Sequence, residues 1–299
     1  MTSQHSYPLA PFDGRSLPAP AWYERAVAIT PETGRTVVEG AEIEWFAWGP
    51  TRAPGLLLLH GGWAHAGWWA HIAPLLADDR RVVAMSLSGM GQSGWRDRYS
   101  IPQFAREARA VAEATGLTAA GPPVIVAHSF GCAVAAAAVA DPDDWTAGII
   151  LIDGSITLKP NRAADRTGRI NRPFATVAAA LARFRLMPAQ DCDNLYIVDA
   201  IARRSLRHTD AGFVWSFDPA MFEHCSFIDS RAAVRSALRP VAFIRGARST
   251  IVDPDTLAGL RADLPDARFV TVPDAGHHIM LDQPLALVAA IDALLAGRG

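Results

Sequence analysis

Short runs of consecutive apolar residues, each ending in a turn, recur along this chain and restrict its fold more than any other feature. Leu56–Leu59 runs into His60-Gly61-Gly62, Val82–Leu87 into Ser88-Gly89, and Val124–Ala127 into His128-Ser129. Ile149–Ile152 runs into Asp153-Gly154, Val241–Ile244 ends near Gly246, and Phe269–Val272 ends at Pro273. Runs this short, lacking the alternation of a half-exposed strand, suit strands buried on both faces. Helical stretches lie between them, at about 68–77, 102–115, 130–140, 254–263 and 284–296. Strand and helix in alternation predict a mainly parallel sheet with helices on both faces, an α/β fold. Upstream, residues 35–48 alternate well enough for two strands turning at Gly40. The proline-rich residues 1–22 read as an extended surface arm.

One crossover is far too long. The stretch from Asp153 to Val241 is several times the roughly ten to twenty residues that close a parallel unit. It is rich in arginine, alanine and aromatic residues and has no strong strand signal. Residues 156–238 are therefore predicted to be an inserted, mostly helical cap on a core made of 1–155 and 239–299. Half of the 299 residues are hydrophobic, enough to fill a core of that size.

Charge and cysteine content exclude several functions. Lys+Arg 28 against Asp+Glu 30 leaves a net charge of −2. Nucleic acid or an anionic membrane would call for a basic surplus. Cys132, Cys192 and Cys225 match no zinc or redox spacing, and their odd number argues against a disulfide framework. The first residues lack the basic-then-apolar pattern of a signal peptide, and no apolar run is long enough to span a membrane. The expected location is cytoplasmic.

Chemistry is concentrated at three of the strand ends. In Val124-Ile-Val-Ala127-His128-Ser129-Phe130-Gly131 a buried strand turns sharply into an alanine-rich helix with a serine at the turn. Such a turn needs small residues two positions before and two after the serine; Ala127 and Gly131 supply them. It pushes the Ser129 hydroxyl outward and sets the Phe130 N–H at a helix N-terminus, where it can meet an oxyanion. Leu59-His60-Gly61-Gly62-Trp63 follows the first long apolar run and aims the Gly62 N–H toward the same point. Pro273-Asp-Ala-Gly276-His277-His278 follows the last run. A serine is a weak nucleophile without a positioned base, and His277 is the candidate, with His278 as the alternative.

Together these residues resemble the α/β-hydrolase superfamily, in its serine hydrolases with a helical lid. The resemblance runs from about Glu42 to the C-terminus, with 156–238 least constrained. Ser88-Gly89-Met90-Gly91-Gln92-Ser93-Gly94 is similar to that family's Gly-x-Gly-x-Ser loop, with Ser86 where an aspartate is frequent. The pattern departs at the triad acid. The family's usual acid follows the penultimate strand, but here that position is Ser249, in Arg245-Gly-Ala-Arg-Ser249-Thr250; the nearest acid beyond it is Asp253. Some members, including certain haloalkane dehalogenases and lactone hydrolases, carry the acid one strand after the nucleophile. That position is Asp153, the first choice here, with Asp253 as the alternative acid.

The resemblance implies a carboxylesterase-like or lactonase-like enzyme acting through a Ser129 acyl-enzyme, with Gly62 and Phe130 as the oxyanion hole. A serine nucleophile disfavours the dehalogenase and epoxide-hydrolase reactions of this fold, which use aspartate. Carbon–carbon bond hydrolysis, cofactor-free oxygen chemistry and a non-catalytic ligand-binding role stay open. Trp63, His65 and Trp69, with Trp68 and lid residues such as Phe184, Leu186, Met187, Phe213, Trp215 and Phe217, are candidates to line an apolar pocket. Arg183, Arg185, Arg203, Arg204 and Arg207 could bind a substrate carboxylate, but a solvated surface position is the expected role for each. The expected partner is a small apolar or aromatic ester-type substrate, without nucleic acid or membrane and with a homodimer left open. No metal or organic cofactor is expected, because the sequence shows no metal-ligand cluster and no phosphate-binding glycine spacing.

Overall fold

Eight strands form one sheet in the computed structural model, which describes residues 7–154, 156 and 171–297. They are β1 Glu32–Val38, β2 Ala41–Trp48, β3 Gly55–Leu59, β4 Arg81–Met85, β5 Val124–His128, β6 Gly148–Ile152, β7 Val241–Gly246 and β8 Arg268–Val272. Their order is β1-β2-β4-β3-β5-β6-β7-β8. The β1/β2 and β2/β4 pairs are antiparallel and the rest parallel. Every residue of β3, β4, β5 and β6 is buried, as the apolar runs that make up all but Arg81 and His128 of them demand. Between β1 and β2, Glu39 and Gly40 both take positive φ, 46° and 83°, the conformation a tight hairpin turn of this hand needs.

Successive strand residues point to opposite faces, so each strand feeds two cores. Leu57, Leu59, Ile125, Ala127 and Leu151 pack beneath the helices Ile101–Ala114 and Gly131–Val139. Leu56, Leu58, Val126, Ile150 and Ile152 pack on the other face with Leu287 and Ile291 of the helix Pro284–Ala296. Parallel strands bring β3, β5 and β6 to the same sheet edge, where His60, Ser129 and Asp153 follow their ends.

Three expectations change. The helix expected at 68–77 is instead two 3-10 turns, Ala66–Trp69 and Ala73–Leu76. Pro74, in the first turn of the second, has no N–H with which to continue a helix across the gap. The arm is not extended throughout: Ala10–Phe12 forms a 3-10 turn and Ala21–Val27 a helix, while residues 1–6 lie outside the described residues. The segment 156–238 is not purely helical. Residue 155 and residues 157–170 lie outside the described residues. Beyond them come helices Val177–Leu181, Leu195–Arg204 and Ser230–Arg235, together with an antiparallel hairpin of Leu206–Thr209 and Gly212–Trp215. Its strands are too short and polar to read from apolar runs; the local signal is the Asp210-Ala211-Gly212 turn, with Gly212 at φ 117°. No helix among the described residues is long and apolar enough to cross a membrane.

Candidate active site

Ser129 stands at the turn between β5 and the helix Gly131–Val139 with φ 52°, a left-handed conformation costing an ordinary residue on the order of 1 kcal/mol. The turn is held from both sides. Ser129 N–H donates to the Ile152 carbonyl at 3.0 Å, and the Ser129 carbonyl accepts from Cys132 N–H at 3.0 Å. Space explains the small neighbours. A Cβ on Gly131 would lie 2.7 Å from the His60 carbonyl oxygen, and one on Gly154 would lie 2.3 Å from Cys132 Sγ.

The Ser129 hydroxyl oxygen lies 3.0 Å from His277 Nε2, and His277 Nδ1 lies 2.8 Å from Asp153 Oδ2. His277 is 3% exposed and Asp153 1%, so water competes for neither bond. A carboxylate only accepts, so Nδ1 carries the proton and Nε2 turns its lone pair toward Ser129. Asp153 follows β6 at φ 44° and is fixed by further donors: Gly246 N–H reaches Oδ1 at 3.0 Å, and the Ser249 hydroxyl donates to Oδ2. Ser249, at the place where an acid was sought, thus contributes a donor to the acid one strand away. Asp253 sits elsewhere, exposed, accepting from Thr256 N–H at 2.8 Å as the N-cap of the helix Pro254–Asp263.

The loop after β3 is braced by His60. Its Nδ1–H donates to the Gly61 carbonyl at 2.7 Å and its Nε2 accepts from Leu87 N–H at 3.0 Å. Both bonds use the neutral ring, and burial pulls its pKa down to about 4. Trp63 takes φ 58° and its N–H points at Met90 Sδ, 3.2 Å away. Gly62 borders the cavity beside Ser129. Phe130 is the N-cap residue of the helix behind Ser129; its ring is buried against Phe104 and Phe222 rather than turned to the mouth.

A cavity of about 490 Å³ opens onto Ser129 and His277. Trp63, Trp68, Phe184, Leu186, Trp215 and Phe217 give it an apolar wall, contributed by the core loops and by the 171–238 segment. Three expected wall residues are not there. His65 is 2% exposed, accepts from Gly67 N–H at 3.1 Å and donates to Ser205 Oγ at 3.0 Å. Burial drops its pKa to about 3, so it serves the fold as a neutral cap. Trp69 is fully buried in the core, because the 3-10 turn sends Trp68 to the cavity in its place. Phe213 packs on His208 instead. Tyr7, Phe174 and Ser205, which no sequence motif singles out, also line the space.

The arginines divide. Arg203 pairs with Asp199, Arg204 with Glu44, and Arg207 donates to the Gly91 carbonyl. Arg183 and Arg185 border the cavity, Arg183 lying over the Tyr7 ring at 4.8 Å. Glu44 also accepts from the Ser86 hydroxyl at 2.7 Å, so the residue replacing the family's aspartate still ties the glycine loop to β2.

The fold gathers three histidines that no sequence spacing brings together. His128, His277 and His278 each bring a ring nitrogen within 4.8 Å of the other two, and all three are buried. His128 Nε2–H donates to the His277 carbonyl at 3.0 Å. Burial holds His128 and His278 well below the ordinary histidine range, with neighbouring histidines adding to the effect. Sequence spacing hides this cluster because β5 and the loop after β8 meet only in the folded sheet.

The sequence profile described as the Alpha/beta hydrolase family matches residues 56–291. An esterase of Mycobacterium tuberculosis is 27% identical over 280 residues, covering 90% of this chain and 90% of that protein. A serine hydrolase-like protein of Danio rerio is 26% identical over 290 residues, covering 87% of each. The crystal structure of an E-2-(acetamidomethylene)succinate hydrolase superposes with a TM-score of 0.77 at 20% identity, over 89% of this chain and 99% of that one, a likeness of fold.

Proposed function

The chain belongs to the alpha/beta hydrolase family, a family of hydrolases, and from that premise we propose that it cleaves a carboxylic ester or lactone through a Ser129 acyl-enzyme. One observation carries this reading: an unbroken hydrogen-bonded line from Ser129 Oγ through His277 to buried Asp153, at the floor of an apolar-walled cavity. Relatives named esterase and serine hydrolase-like protein, matched along most of their length, support it.

The steps follow from the proton positions. Ser129 Oγ attacks the ester carbonyl carbon while His277 Nε2 takes its proton. Asp153 holds the Nδ1–H and stabilises the imidazolium that forms. The Phe130 and Gly62 N–H groups meet the oxyanion. His277 then protonates the leaving alkoxide, and in the second half-reaction it deprotonates the water that releases the acid. The cavity volume and its tryptophans and phenylalanines favour a small apolar or aromatic substrate. In this reading residues 156–238 act as the cap that shields the acyl-enzyme from bulk water.

The test is hydrolysis of p-nitrophenyl acetate and butyrate by the wild-type protein and Ser129→Ala, with fluorophosphonate labelling of both. Turnover and labelling by wild type only are expected. A Ser129→Ala protein that hydrolyses both esters at the wild-type rate would overturn the proposal.

A further inference from the structure

We infer that Gln190, in the 171–238 segment, and Asp282 are positioning residues for His277: together they hold the peptide N–H groups on either side of it and so tie the base to that segment. The geometry stands by itself; its consequence for turnover rests on the proposed role of His277.

His277 sits in an irregular loop between β8 and the short helix Ile279–Asp282, outside any strand ladder or helix. Two side chains fix the backbone there. Gly276 N–H donates to Asp282 Oδ2 at 2.7 Å, and His278 N–H donates to Gln190 Oε1 at 2.9 Å. The Gln190 amide nitrogen closes the bracket by donating to the same Asp282 Oδ2 at 2.9 Å. Amide and carboxylate thus form one hydrogen-bonded unit that grips the chain before and after the base. The unit also accounts for a glycine. A Cβ on Gly276 would lie 2.9 Å from Gln190 Oε1, so a side chain at 276 would push the amide out of the bracket.

Neighbouring contacts fasten the same two stretches. Asn194 Nδ2 donates to the Leu281 carbonyl at 2.7 Å and the Asp282 carbonyl at 3.1 Å, and hydrogen bonds tie the His278 ring to the Met187 and Pro188 backbone. Just upstream, Phe184, Leu186 and Met187 line the 490 Å³ cavity. Gln190 and Asp282 do not border that cavity; they lie on the far side of His277, against a second cavity of about 420 Å³. The pair therefore acts on the aim of the ring and not on substrate contact. His277 is held at three places: Nδ1 by Asp153, the carbonyl by His128 Nε2–H, and the flanking N–H groups by this bracket. Without the bracket the loop is free to shift Nε2 by the ~1 Å that costs about 10²-fold in rate.

The test compares Gln190→Met, which keeps the length of the side chain and loses both hydrogen bonds, with Asp282→Asn and Asp282→Ala. In Asp282→Asn the amide oxygen has to take the Oδ2 place, where two donors converge, so the bracket survives without its charge; Asp282→Ala removes it. The readouts are p-nitrophenyl butyrate kinetics, thermal unfolding and the downfield proton NMR signal of His277 Nδ1–H, identified by its loss in Asp153→Asn. Gln190→Met and Asp282→Ala are expected to lower kcat at least ~10-fold with KM within ~3-fold of wild type, and to weaken the downfield signal. Asp282→Asn is expected to keep kcat and signal near wild type. Should one of the two damaging variants fail to fold, the other decides. A lowered Tm with kcat and the proton signal unchanged in Gln190→Met overturns the proposal, because the pair then only braces the fold. Equal kcat losses in Asp282→Asn and Asp282→Ala overturn it as well. If wild type neither hydrolyses esters nor labels at Ser129 with a fluorophosphonate, the hydrolase reading fails, while the proton signal still decides whether the bracket positions His277.

Discussion

Replacing Asp153 by asparagine isolates one proton. The side chain is fully buried, and its two oxygens are not equivalent: Oδ1 accepts from the fixed Gly246 N–H, while Oδ2 faces His277 Nδ1 and the Ser249 hydroxyl. An asparagine of the same shape must put its carbonyl oxygen where Gly246 donates. Its NH2 then falls in the Oδ2 place, facing His277. A donor there forces Nδ1 to accept, which moves the ring proton to Nε2, against Ser129. Histidine in that tautomer cannot take the serine proton. The expected loss in kcat is roughly 10⁴-fold, about 5 kcal/mol of transition-state stabilisation. KM should change little, because Asp153 does not border the cavity. Folding should be weakened by only about 1–2 kcal/mol, since the hydrogen bonds are exchanged rather than orphaned. The assay is p-nitrophenyl butyrate kinetics with thermal unfolding as the control, run beside Asp253→Asn. Asparagine is as good an N-cap as aspartate, so that variant should keep wild-type kcat and stability. Asp153→Asn at a tenth or more of wild-type kcat, or an equal loss in Asp253→Asn, refutes the reasoning.

Other outcomes follow from the same geometry. Because Ser249 and His277 share the Oδ2 oxygen of Asp153, Ser249→Asp added to Asp153→Asn is expected to restore kcat at least ~10-fold over Asp153→Asn alone; no recovery in a folded double variant rules out position 249 as an acid site. Burial holds His65 near about 3 and His60 and His71 near about 4, against ~6.5 in the unfolded chain. Each is neutral when folded and gains a proton on unfolding, so stability is full above pH ~6.5 and is lost progressively as pH falls toward ~4. At pH 5 the loss is about 2 kcal/mol for each histidine, and a Tm that stays flat from pH 7.5 to 5 would contradict it. Gly131→Ala sets a Cβ against the His60 carbonyl; it should cost about 1–3 kcal/mol in thermal unfolding and lower kcat by displacing the elbow, and unchanged kcat and Tm would show that the elbow has room to spare.

Much of the fold was legible in residue order because it depends on local properties. Unbroken apolar runs cannot face water on either side, which forces β3, β5 and β6 into the middle of a parallel sheet. Parallel strands then carry whatever follows them to one edge, which is where Ser129, Asp153 and His277 lie. Short, polar or curved pieces were not legible. The hairpin around Gly212 has four-residue strands without an apolar run, and Pro74 breaks an otherwise helical stretch into two turns.

What the sequence determined by itself was the sheet and the placement at its strand ends of Ser129 and His277, the proposed nucleophile and base, since each depends on a residue type at a strand end. The tertiary structure decided which carboxylate stands beside His277: Asp153 and Asp253 both lay within the motif's reach, and only the packing of β6 against β7 sets one there while the other caps a helix. It also decided that Trp68 rather than Trp69 meets the cavity, because a 3-10 turn rotates successive side chains differently from an α-helix. The gathering of His128, His277 and His278 belongs to the same class, a juxtaposition across distant segments that exists only once long-range strand order closes the sheet.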